Sequence, residues 1–265
     1  MNKSKRISLS PLSEYLKKVT IIILTIFVFI FSMNQLNLDF VRFISRLERV
    51  PIVMSHFLAF DTSIIFYGIT QLLISIMMAI SALFLGGIIS LMLAFLAADS
   101  IAPNKIVAII IKGGVAIIRA IPNLVLILII VASLGLGSIA AITSLTLSTM
   151  GYLTKAFISS IEEQPDEIID ALRSTGASWM QIVIHGLLPN IYSSFLAWIS
   201  IRLEFSISDS IILGIVGAGG IGTMLARSIR NQRHAEVTTL LLIIYISVLL
   251  IEYFITKIKK KELSR

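Results

Sequence analysis

The chain has 265 residues, 57% of them hydrophobic and 14% charged, and a mean hydropathy of +0.96, far more apolar than a soluble domain of that length requires. Its formal net charge of +7 comes from lysines and arginines set mainly at the two ends and beside apolar runs, a topology signal rather than a nucleic-acid surface. With 0 cysteines there are no disulfides and no thiolate metal sites, and His56, His185 and His234 are scattered without ligand spacing.

Long Ile/Leu runs without alternating polar positions predict spanning helices rather than barrel strands, because backbone polar groups in lipid must be satisfied within the segment. The basic start, with Lys3, Lys5, Arg6, Lys17 and Lys18, leads into a first span over residues 16–36. No small-residue cleavage site is evident there, so the expectation is an uncleaved span with its start in the cytoplasm. In FVRFISRLERV, Phe40, Phe43, Ile44 and Leu47 recur at helical spacing opposite Arg42, Arg46 and Arg49, which predicts a short helix on the outer interface.

Span two is expected over 64–98, longer than one crossing needs and therefore tilted. A turn at Asp99 to Lys105 leads to span three, 106–134, with expected interruptions at Gly113-Gly114 and at Arg119-Ala-Ile-Pro122. Span four, 139–158, carries Gly151 and a row of Ser and Thr that suits close packing or a polar path. Span five is expected over 191–216, followed by a glycine-rich loop, and span six over 237–255, followed by Lys257, Lys259, Lys260, Lys261 and Arg265. Six crossings place both basic ends and residues 160–190 in the cytoplasm, although Arg42, Arg46, Arg49, Arg227, Arg230 and Arg233 in the outer loops run against that tally.

The polar stretch between spans four and five reads DALRSTGASWMQIVIHGLLPN over residues 170–190. After Glu162, Glu163 and Pro165, a short helix is expected over 166–174, broken at Thr175-Gly176-Ala177 because glycine accepts a positive φ. A second short helix, 179–185, is expected to end where Pro189 forces an exit. A helix, a corner and a helix between two spans form a compact knob that suits a partner's groove; the alternative is an ordinary re-entry loop.

This stretch resembles the cytoplasmic loop of ABC importer permeases, whose pattern is Glu-Ala-Ala, three residues, Gly, nine residues, Ile, one residue, Leu-Pro. Here Asp170, Ala171 and Leu172 are followed at that spacing by Gly176, by Gly186 where Ile is usual, and by Leu188-Pro189. Within that superfamily, DALRSTGAS with HGLLP, RAIPNLV (Arg119 to Val125) and ILGIVGAGGIG (Ile212 to Gly222) are similar to the phosphonate-type permease.

The resemblance implies an all-α polytopic membrane bundle of about six transmembrane helices with ABC importer permease (MetI-like) architecture. Residues 1–63 would hold the basic start, first span and outer interfacial segment, and residues 64–260 the permease domain with its coupling loop at 160–190. It further implies that the knob docks into a separate ATPase subunit through Asp170, Ala171, Arg173, Thr175, Gly176, Ala177, Leu188 and Pro189. The partners implied are an ATPase dimer, an extracytoplasmic solute-binding protein and a second permease copy in a bacterial cytoplasmic membrane.

No GxxxxGK[ST] occurs, so ATP and Mg would be held by the partner, and the chain is expected to be a transport subunit without a cofactor of its own. Gly217, Gly219 and Gly222 spell GxGxxG, but with a membrane span before them and no strand-helix alternation around them, these residues and Gly220 are expected to form a flexible turn at the outer end of span five.

Charges inside spans face a bundle interior, a cavity or one another. Arg119, Arg202, Glu204 and Asp209 are therefore candidates, with Asn123, Ser206 and Ser208 nearby. Arg202 and Glu204, two apart, diverge on a helix, whereas Arg119 could meet Glu204 or Asp209 across helices as an interhelical lock, or contact solute directly. Arginine suits an oxyanion through two parallel hydrogen bonds. The phosphonate-type pattern often has Glu at the place of Asn123, and Asn and Arg at the places of Ser206 and Ser208, which leaves phosphonate, phosphite, phosphate or another small solute open. An ion-driven secondary transporter is the alternative class.

Overall fold

The structure, a computed structural model, describes residues 12–36 and 39–263. The basic residues Lys3, Lys5, Arg6 and Arg265 lie outside the described residues. Every regular element among the described residues is helical. The chain divides into a unit ending at Ser55 and a larger unit beginning at His56.

In the first unit, α1 (Leu12–Gln35) is a continuous apolar helix that can cross a membrane, as expected. The short amphipathic helix follows as α2 (Phe40–Leu47), capped by Asp39, whose carboxylate accepts from the Arg42 amide at 2.9 Å and pairs with the Arg42 Nε at 3.0 Å. A short helix, α3 (Val50–His56), runs to the boundary of the two units.

The larger unit is built on α4 (Ile65–Ala97), entered through a single 3-10 turn, Thr62–Ile64, that Asp61 caps. Ser75, Ala79, Ala82, Gly86, Ser90, Ala94 and Ala97 recur every three or four residues and are all buried, giving one narrow face of small side chains. Such a face lets a second backbone approach closely, which substitutes for the missing hydrophobic drive between helices in lipid. The partner is α7 (Ser138–Glu162). A Cβ on Gly86 would stand 2.8 Å from Thr149 Cγ2 and 3.0 Å from the Thr146 carbonyl oxygen, and the Ser90 hydroxyl donates to the Met150 carbonyl at 3.2 Å.

Between these two in the chain, α5 (Lys105–Ala120) and α6 (Asn123–Leu134) form an apolar pair bent by 94°. The break falls at Ile121-Pro122 alone. Gly113-Gly114 does not interrupt α5: glycine weakens a helix by about 1 kcal/mol but keeps its amide, whereas Pro122 has none and holds Ile121 extended at ψ 124°.

The acidic approach leads to α8 (Asp166–Ser174), matching the expected helix. The second short helix differs from expectation. From α9 (Trp179–Gln181) the chain passes through a π-helical segment, Ile182–Leu187, directly into α10 (Leu188–Leu213), so Pro189 ends nothing. The wider turn lets the Leu188 amide reach the Val183 carbonyl, and Pro189 then sits in the first turn of α10, where a missing amide is tolerated. Asn190 Nδ2 donates to the Gly186 carbonyl at 2.6 Å, supplying a donor at the disturbed turn.

After α10, a kinked stretch at Gly214–Ala218, non-helical at Gly217, and a 56° bend lead into α11 (Gly220–Arg230), then α12 (His234–Leu263). The expected flexible loop is instead a packed backbone crossing. Gly217 and Gly219 both have φ 98° and Gly220 has φ 72°. A Cβ on Gly214 would lie 2.7 Å from the Gly219 carbonyl oxygen, and one on Gly222 would overlap the Ile211 carbonyl. Thr223 Oγ1 donates to the Gly214 carbonyl at 2.7 Å and accepts from the Gly219 amide at 3.0 Å, and buried Ser75 of α4 accepts from the Ile221 amide at 3.1 Å.

Among the described residues, 3 helices are long and apolar enough to cross a membrane, or up to 5 if each bent pair is one span. The 25 residues of α7 supply the length of a further crossing, with its buried hydroxyls Ser144, Thr149, Thr154 and Ser160 facing the bundle rather than lipid.

Candidate functional site

The corner at Gly176 is a Schellman ending of α8. The Ala177 amide donates to the Leu172 carbonyl at 3.1 Å and the Gly176 amide to the Arg173 carbonyl at 3.0 Å, with Gly176 at φ +80°. The Thr175 hydroxyl donates to the Leu172 carbonyl at 2.8 Å. Beyond the corner, Gln181 Oε1 accepts from both the amide and the hydroxyl of Ser178, at 2.7 Å and 2.9 Å, fixing the start of the next helix.

This corner is rigidly seated. Ile169, 2% exposed, packs with Ile101, Phe157, Ile161, Ile182 and Leu187 in the largest core cluster. Trp179 Nε1 donates to the Ile101 carbonyl at 2.8 Å, and an Arg173 guanidinium nitrogen to the Ser100 carbonyl at 3.3 Å. Gly186, standing where the motif usually has Ile, lies directly under the Leu172 side chain, and Leu172 stands where the motif usually has Ala. The large and small members have exchanged places across one contact. Asp170, Ala171, Arg173, Thr175, Gly176 and Pro189 are exposed; Ala177 and Leu188 are half-buried. Asp170 caps no helix and approaches Arg173 at 3.8 Å.

Beside this corner, Lys112 Nζ of α5 meets Asp99 at 2.7 Å and Glu162 at 3.0 Å, and Glu162 Oε1 accepts from the Asp99 amide at 3.1 Å. This triad ties α5 to the ends of α4 and α7. It is not legible in the sequence, because Lys112 stands 13 residues from Asp99 and 50 from Glu162 along the chain.

The second constellation lies within the spans. Arg202 and Asp209 are two turns apart on one face of α10, and their ion pair is 3.3 Å. Arg202 is 4% exposed; its Nε donates to Thr149 Oγ1 at 3.1 Å and its terminal nitrogen to Ser148 Oγ at 3.1 Å. The Ser148 hydroxyl donates to Asn123 Oδ1 at 2.9 Å, and Asn123 Nδ2 faces Asp209 Oδ2 at 3.4 Å, closing a ring of polar contacts across α6, α7 and α10. The Arg202 guanidinium carbon stands 5.9 Å from the centre of the Tyr152 ring.

Arg119 meets neither Glu204 nor Asp209: Asp209 is taken by Arg202, and Arg119 and Glu204 form no ion pair among the described residues. The stem of Arg119 crosses α7 at Gly151, where an added Cβ would lie 3.3 Å from Arg119 Cγ. With Ile118, Asn123, Ser148, Tyr152 and Arg202 it lines a cavity of about 160 Å³. Ser206 is fully buried with its hydroxyl unpartnered, and Ser208 is exposed; neither joins the ring. Ser148, Thr149 and Tyr152 belong to the hydroxyl row of α7, a signal read from the sequence only as a general polar path.

An all-helical bundle of broken apolar spans with a rigid helical corner is the architecture of a membrane transport subunit. Residues 90–260 match the family described as binding-protein-dependent transport system inner membrane component, and the chain belongs to that family. It is 32% identical over 192 residues to the phosphite transport system permease protein of Stutzerimonas stutzeri, covering 72% of this chain and 70% of that protein. It is 32% identical over 157 residues to the phosphate-import permease protein of Mycolicibacterium smegmatis, covering 59% of this chain and 30% of that one. Among solved structures, the inward-facing MetNI methionine ABC transporter superposes with a TM-score of 0.68 at 25% identity, covering 76% of this chain and 98% of the compared chain.

Proposed function

We propose that the chain is the permease subunit of an ATP-driven importer that carries a small phosphorus oxyanion, handed over by an extracytoplasmic solute-binding protein. Two copies of the chain surround the pathway and two separate ATPase subunits, holding ATP and Mg, dock on the exposed corner at Asp170, Ala171, Arg173, Thr175 and Gly176. Both termini and this corner face the cytoplasm, an orientation supported by the basic ends. The observation that carries the oxyanion reading is the arginine-lined cavity in an otherwise apolar bundle, together with relatives named for phosphite and phosphate.

The rigid seating of the corner supports the docking role. Closing of the ATPase pair would be passed to α10 without slack, because the corner continues through α9 into that helix, and packed bundles move between discrete arrangements. The test is uptake of labelled phosphite, phosphate and methylphosphonate by cells lacking other uptake systems and expressing the chain with its ATPase and binding protein. Uptake of at least one of the three that needs all the components is the expected result. Uptake independent of the ATPase, or no uptake of any of the three, overturns the reading.

A further inference from the structure

The two arginines of the cavity differ in freedom, and this difference divides their roles. Arg202 is enclosed: its Nε and one terminal nitrogen are spent on Thr149, Ser148 and Asp209, its charge is matched by Asp209, and only 4% of it is exposed. Arg119 is exposed, without an ion-pair partner among the described residues, at the last turn of α5. The carbonyl end of α5 gives such a guanidinium a partial counter-charge, which allows it to stand there without a carboxylate. A free guanidinium in a span is tolerated where it meets water or a ligand rather than lipid.

We propose that the cavity between α5, α6, α7 and α10 is a transit site for one tetrahedral oxyanion, held by Arg119, while Arg202 with Asp209 is the fixed wall behind it. The inference rests on the oxyanion reading above and adds the residue that makes the contact. With Arg202 and Asp209 cancelling, the cavity carries the single positive charge of Arg119. Ser148 spends its hydrogen on the ring, whereas Asn123 Nδ2 keeps a second N–H beyond the one facing Asp209; with Tyr152, whose hydroxyl has no partner among the described residues, Asn123 supplies the neutral donors among the lining residues. A volume of about 160 Å³ gives room for a phosphate-sized anion. One guanidinium and a few neutral donors bind weakly, as conduction requires of a site that must release its ligand.

Two measurements on the complex of this chain with its ATPase test the assignment. Phenylglyoxal modification of Arg119 in the purified complex, followed by peptide mass spectrometry, reads the site without any transport. Phosphate or phosphite at millimolar concentration is expected to slow modification, and chloride or methionine to leave it unchanged; modification at the same rate with and without phosphate overturns the site even if uptake is normal. In proteoliposomes containing the binding protein, Arg119→Ala is expected to keep assembly and ATP hydrolysis while uptake falls roughly tenfold to a hundredfold, with partial recovery in Arg119→Lys. Native uptake by Arg119→Ala, or loss of assembly in that variant like that expected for Arg202→Met, overturns the division of roles. Absence of oxyanion uptake by the native complex counts against the transport reading alone, since protection of Arg119 is scored separately.

Discussion

At the scale of single residues, Gly176 carries the corner by conformation and not by space. Nothing lies within 4 Å of a Cβ added there, so a substitution costs only the left-handed backbone, about 1–2 kcal/mol for most side chains. Gly176→Asn should therefore retain ATP-driven uptake and Gly176→Val should be expressed but uncoupled, both read by uptake beside ATPase co-purification. Buried charge behaves differently. Asp209→Asn removes the counter-charge of Arg202 and should cost about 3–5 kcal/mol, seen as loss of the folded peak in detergent chromatography. The exchange between Leu172 and Gly186 makes its own prediction: Gly186→Ile alone overpacks the corner by about 1–3 kcal/mol, and Leu172→Ala in the same chain restores its melting temperature. The spacing of Asp170, Gly176 and Leu188-Pro189 was legible in the sequence because it is local. That Leu172 and Gly186 touch was not, because the contact joins two helices through the corner between them.

At the scale of elements, the errors of sequence reading have one cause. Gly113-Gly114 and Pro189 are break-prone residues that lie within continuous helical stretches, whereas Pro122 and the Gly217–Gly220 turn bend the chain. Glycine and proline state what a backbone is able to do; packing and neighbouring donors decide whether it does so. In α11, Ile221, Met224, Leu225 and Ile229 recur at helical spacing and Arg227 and Arg230 close the last turn, a pattern the preceding glycines masked. Because Gly222 lies against the Ile211 carbonyl, Gly222→Ala should lower the melting temperature of the purified chain far more than Gly113→Ala, which meets open space and should leave it unchanged or slightly raised.

At the scale of the molecule, the small-residue face between α4 and α7 makes a firm centre, and the mobile parts must be sought at its edges. The bent pair α5 and α6 joins the end beside the Gly176 corner, through Lys112 with Asp99 and Glu162, to the cavity end at Arg119. These charges are partly exposed, so Lys112→Ala should cost no more than about 1 kcal/mol of stability. The helical class and the membrane were legible from hydropathy, and the helix-corner-helix between spans from the spacing of Pro165 and Gly176. The polar ring was not, because four residues on three helices meet only after the bundle closes.

The central claim is that the corner at Gly176 is where an ATPase docks. The chain contains 0 cysteines, so Ala171→Cys provides a unique thiol on the exposed face of α8 for a photoactivated cross-linker. Illumination of membranes containing the co-expressed ATPase should join the two subunits in a yield that changes with ATP. A thiol at this position that reacts freely yet never captures the ATPase, in a complex that still imports its solute, would contradict the account.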